Sequence, residues 1–135
     1  MTDNDLDLGK IAYVSNLPDP QGENAKNRRC VVIKRVHKGE HYLLVATTSK
    51  FDRENISPFE ERFRAGNPQQ PSRLGFTEPT VAKCDWLAIV REEDCDFTGR
   101  KVNPVQLGSL IAKTEKAIIS GQHTVVRNDV EKDEE

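Results

Sequence analysis

Thr80-Val81-Ala82-Lys83-Cys84-Asp85-Trp86-Leu87-Ala88-Ile89-Val90 opens with alternating residues and runs into an unbroken apolar segment, so it reads as one strand. Successive side chains of a strand point to opposite faces. On that count Ala82, Cys84 and Trp86 are expected to face a core, while Lys83 and Asp85 share the outer face roughly 6.5 Å apart. A cation and a carboxylate so placed suit general acid–base work on a phosphodiester, one group taking a proton and the other supplying one. The same spacing also serves ordinary surface charges on a solvated strand.

Working outward, Lys10 to Ser15 forms a first strand, stopped by Pro18-Asp19-Pro20-Gln21-Gly22, whose prolines and glycine favour a turn. A polar loop leads to Arg28. Cys30 to Ile33 and Tyr42 to Ala46 are short apolar runs joined across Lys38-Gly39-Glu40, the pattern of an antiparallel hairpin. At least four short strands without strand–helix alternation indicate a mainly β domain. Two helices are expected beside it. Ser57-Pro58-Phe59-Glu60 combines a capping box with an early proline, predicting a short inserted helix that ends near Gly66 and pins Phe59 and Phe63 to the core. Asn103-Pro104 starts a second helix whose stripe is Leu107, Leu110, Ile111, Thr114 and Ile118, closed by Gly121.

The chain has 135 residues, enough for one hydrophobic core, and a net charge of −2 that is unevenly spread. The reading is a single domain over residues 9–122 between acidic tails at 1–8 and 123–135. The tails are more acidic than the body, where Lys and Arg outnumber Asp and Glu, a balance compatible with a polyanionic ligand. No apolar run approaches the length of a membrane helix, and no secretory signal is visible, so a cytoplasmic protein without membrane contact is expected. Cys30, Cys84 and Cys95 include no CxxC pair, and His37, His41 and His123 lack metal-ligand spacing. Glu92-Glu93-Asp94-Cys95-Asp96 lacks the spaced ligands of a calcium loop, so no metal is expected.

Arg28 and Arg29 stand where the polar loop enters the second strand, with Lys26 just before them. A guanidinium offers a planar fork of donors matched to phosphate oxygens. Thr47, Thr48 and Ser49 end the following strand and supply hydroxyls, although threonine also suits strands by shape alone.

In order, Leu8 to Val14, Pro20-Gln21-Gly22-Glu23 leading to Arg28 through Ile33, Leu44 to Ser49, and Thr80 to Asp85 resemble the PemK/MazF-like toxins of type II toxin–antitoxin systems. The resemblance implies an SH3-like β-barrel with a C-terminal helix, usually a homodimer. It also implies a metal-independent, cofactor-free endoribonuclease acting on single-stranded RNA and held by a cognate antitoxin. By the same resemblance Arg29 and Thr48 hold the phosphate, Asp85 is the base and Lys83 the acid. The loop before the second strand gates the RNA groove, which brings in Gly22, Glu23, Lys26 and Arg28. The chain departs from the family's pattern at Arg29-Cys30, where Arg-Pro is usual, and at Lys83, where some members carry Arg. The alternative is a noncatalytic SH3-like module binding nucleic acid or a protein.

Overall fold

The computed structural model describes residues 7–36, 40–55 and 57–128. Seven strands and one long helix follow one another as β1 (Lys10–Leu17), β2 (Lys26–Val36), β3 (His41–Thr48), β4 (Glu60–Phe63), β5 (Thr80–Arg91), β6 (Cys95–Lys101), α1 (Pro104–Ile119) and β7 (Thr124–Arg127). All strands join one sheet in the order β4-β5-β3-β2-β1-β6, curled into a half-barrel, with β7 added to β5 in parallel. The expected mainly β fold with a C-terminal helix is present. Residues 1–6 and 129–135 of the acidic tails, and the hairpin turn at 37–39, lie outside the described residues.

The sheet buries both faces. One core gathers Ile11, Val31, Val45, Cys84 and Leu87 beneath Leu110 and Ala117 of α1, with Phe59, Phe63 and Phe76 from the segment around β4. The other holds Val14, Cys30, Val32, Leu44, Trp86 and Val126 and contains no residue of α1. Curling lets that second face close on itself. Asn103 caps α1 as expected, its side chain accepting from Gln106 N and the Gln106 side chain accepting from Asn103 N. Leu110 and Thr114 of the predicted stripe are buried, whereas Ile118 stays 42% exposed because Ala117 takes the inner position on that turn.

Three expectations are corrected. The inserted helix is a strand: Ser57 and Glu60 do make the capping-box contact, Ser57 N donating to Glu60 Oε1 at 3.2 Å, but Glu60 N also donates to Ser57 O at 3.1 Å. That closes a turn around Pro58, and the chain leaves it to pair with β5. Phe59, in the turn just before β4, and Phe63, at its end, still meet the same core. The second correction concerns the C-terminal boundary, since Thr124–Arg127 is not tail but β7, paired with Trp86 to Ile89.

The third lies inside β5. Val45 pairs with Leu87 and the next residue, Ala46, pairs with Lys83, so Cys84, Asp85 and Trp86 bulge from the ladder. Ala82 and Cys84 enter the helix-side core, whereas Trp86 enters the opposite one. Asp85 is the residue at which the alternation changes phase. The bulge sits where the neighbour of β5 changes from β4 to β7.

Candidate functional site

β2 begins and β3 ends at the same rim of the sheet, and their polar ends open a cavity of about 370 Å³. Arg29 and Thr48 both line it, together with Lys26, Arg28 and Lys50. Four cations thus face a single carboxylate, that of Glu78. Lys26, Arg28 and Lys50 also border an adjoining cavity of about 580 Å³ that reaches Trp86 and Asp19. The two form one cationic groove, with an aromatic ring near either end.

Arg29 is the most constrained of these side chains. Its Nε and Nη2 donate to the hydroxyl of Tyr13 at 2.8 and 2.6 Å, and Nη1 donates to the carbonyl of Gly75 at 3.1 Å. The guanidinium also lies 5.1 Å from the Tyr13 ring centroid and 5.4 Å from that of Phe76. Register explains the first contact, since Tyr13 pairs with Arg29 across β1 and β2. A left-handed φ of +91° at Gly75 explains the second: it turns the carbonyl at a bend that a residue with a Cβ adopts only with strain. Behind the site, Thr47 Oγ1 donates to Arg29 O at 2.9 Å, and Thr48 Oγ1 accepts from Lys50 N at 3.0 Å.

Arg28, one residue earlier, points to the other face. Its Nε donates to Leu17 O at 2.8 Å, its Nη2 to Asn24 O at 2.7 Å, and its guanidinium covers Trp86 at 4.8 Å. The loop that it holds is organised by Asp19, whose carboxylate accepts from Gln21 N, Glu23 N and Asn24 Nδ2. The Asn24 contact, then the Glu23 amide, hold the Asp19 carboxyl below the usual carboxylate range. Gly22 lines a different cavity, of about 520 Å³, between this loop and β7. Glu23 is exposed and contributes its amide to the loop.

Lys83 and Asp85 line neither part of the groove. Lys83 Nζ meets Glu60 Oε2 at 2.6 Å across the β4–β5 ladder, and the Glu60 side chain is only 5% exposed. Asp85, in the bulge, has a buried Oδ1 without a hydrogen-bond partner among the described residues. The structure therefore brings Arg29, Thr48, Arg28 and Lys26 together and leaves Lys83 and Asp85 outside that cavity. Burial pushes the Cys84 thiol up to about 11 and Cys95 to about 12, and raises Cys30 further, so none is a ready thiolate. Among the described residues no group of three His, Cys, Asp or Glu side chains forms a metal-ligand cluster. None of their helices is long and apolar enough to cross a membrane.

Tyr13, Lys50, Phe76 and Glu78 were not visible as site residues in the sequence. Tyr13 needs the β1–β2 register to reveal its partner, and Phe76 and Glu78 reach the groove from a segment without regular structure. Lys50, two residues beyond Thr48, carried a signal in its position alone.

No protein-family model matches the chain, and no curated protein matches it in sequence. Among solved structures, an endoribonuclease in complex with its cognate antitoxin from a mycobacterial species matches over 82% of this chain and 92% of its own, with a TM-score of 0.54 and 11% identity. At that identity the likeness is one of fold.

Proposed function

We propose that the chain is a toxin-like endoribonuclease that cleaves single-stranded RNA by attack of a ribose 2'-hydroxyl on the adjacent phosphodiester, without a metal or other cofactor. The observation that carries this reading is the groove at the rim of β2 and β3, where Arg29 and Thr48 meet beside three further cations. Lys and Arg neutralise a phosphate backbone, and exposed aromatic and guanidinium planes accept unpaired bases. Fold similarity to an endoribonuclease supports the same reading. Arg29 and Thr48 hold the scissile phosphate, with Arg28 and Lys26 on the flanking backbone. A cognate antitoxin, as in that neighbour, and a homodimer complete the proposal.

The test is cleavage of unstructured RNAs of varied sequence by the purified chain in EDTA. Arg29→Ala is expected to lose cleavage by about 100-fold or more, as removal of a preorganised charge partner does elsewhere. A well-folded protein that binds RNA and cuts none would establish the second reading, a binding module. Engagement of Lys83 by Glu60 is what favours that alternative, because it ties up the expected acid.

A further inference from the structure

Building on the endoribonuclease reading, we infer that Tyr13 and Glu78, which line the same cavity as Arg29, are the general acid and general base of the cleavage step. Tyr13 is 40% exposed at the cavity wall. Its oxygen accepts from two Arg29 nitrogens, at 2.8 and 2.6 Å, which fills its accepting capacity and directs the hydroxyl proton away from the guanidinium. The fixed cation offsets the charge that develops as that proton leaves. Among the described residues Glu78 is the only acidic side chain lining the same cavity, and its carboxylate makes no hydrogen bond or ion pair with any of them. Thr80 Oγ1 donates to Glu78 O at 3.0 Å and holds the backbone from which that carboxylate projects. A carboxylate spared from pairing projects into the space where a 2'-hydroxyl would lie.

The step balances with these groups alone. The Glu78 carboxylate takes the proton of the 2'-hydroxyl as O2' forms its bond to phosphorus. The bond from phosphorus to O5' breaks, and Tyr13 gives its proton to the departing oxygen. A 2',3'-cyclic phosphate and a 5'-hydroxyl result, and solvent returns the proton from Glu78 to the Tyr13 oxygen. Arg29 bridges the phosphate and the phenol throughout.

The experiment compares the wild type with Tyr13→Phe and Glu78→Gln for cleavage rate against pH, and for affinity to an RNA whose 2'-hydroxyl is replaced at the cut site. Each variant is expected to cut about 100-fold more slowly or worse while still binding. An RNA with sulfur in place of the bridging 5'-oxygen needs no acid. It restores cutting by Tyr13→Phe and not by Glu78→Gln, an outcome that a merely structural tyrosine would not give. If the wild type cuts and both variants match it, the acid–base pair is overturned and the endoribonuclease reading stands. Well-folded Lys83→Ala and Asp85→Ala proteins that lose cleavage, alongside a fully active Tyr13→Phe, overturn the pair in the same way. Wild type that cuts no RNA overturns the parent reading and the pair with it.

Discussion

Lys83 and Glu60 are cross-strand partners whose charged ends meet at 2.6 Å, with the carboxylate 5% and the lysine 28% exposed. Removing one partner strands the other. Lys83→Ala is expected to destabilise the fold by about 2 kcal/mol, below the figure for a fully buried pair because water reaches the lysine. Replacing the pair with Met and Leu should recover most of that loss. Urea unfolding of the single and double variants measures both; equal stability of Lys83→Ala and wild type would reduce the contact to a surface feature.

Asp7 gives the stability a definite acid dependence. Burial raises its carboxyl, but contacts with Lys10, Tyr42 and Arg35 outweigh this and hold it at about 2, against 3.8 as the ordinary value. A lowered folded-state value means that the stabilisation is present above the ordinary value and disappears as pH falls through the folded one. Between about pH 4 and 2 the wild type should lose stability that Asp7→Asn never had. Urea midpoints of the two proteins that stay parallel through that window would contradict the assignment.

Lys26 and Lys50 have ammonium groups without a partner among the described residues, and both border the two halves of the groove. On the proposed endoribonuclease reading, alanine at either should weaken RNA binding regardless of sequence. Each substitution is expected to lower the slope of log affinity against log salt by about 0.7, the value for one phosphate contact to a single strand. Titrations at several salt concentrations read that slope directly.

β7 predicts a contrast between adjacent valines. Val126 is 7% exposed and packs in the core opposite α1, while Val125 is 43% exposed. Val126→Ala should cost about 2 kcal/mol, and Val125→Ala no more than about 0.5 kcal/mol. Thermal or urea unfolding distinguishes them, and equal losses would place β7 differently.

β1, β2, β3 and the two halves of β5 were legible because apolar runs bounded by turn residues carry the strand signal locally, as in Lys10 to Ser15 before Pro18. α1 was legible from its Asn103-Pro104 start. β4 was not, because Ser57-Pro58 begins a turn as readily as a helix and the Phe59 and Phe63 spacing suits both. Only the pairing with β5 decides between them. Asp85 shows the limit of counting by twos, since a bulge shifts the phase and nothing in Lys83-Cys84-Asp85-Trp86 announces it. Arg29 and Thr48 could be read as strand-end residues, but their shared cavity with Tyr13 and Glu78 depends on long-range register.

Residues 64–79 contain no strand or helix, yet Gly75 within them supplies one of the acceptors that fix the Arg29 guanidinium. A protease that nicked the exposed stretch around Gln69 and Gln70 would cut no rung of the sheet, because every ladder lies elsewhere. Such a clipped molecule would keep every ladder while one end of the segment that tethers its central arginine came free, so backbone scission there would loosen the candidate site without unfolding the sheet.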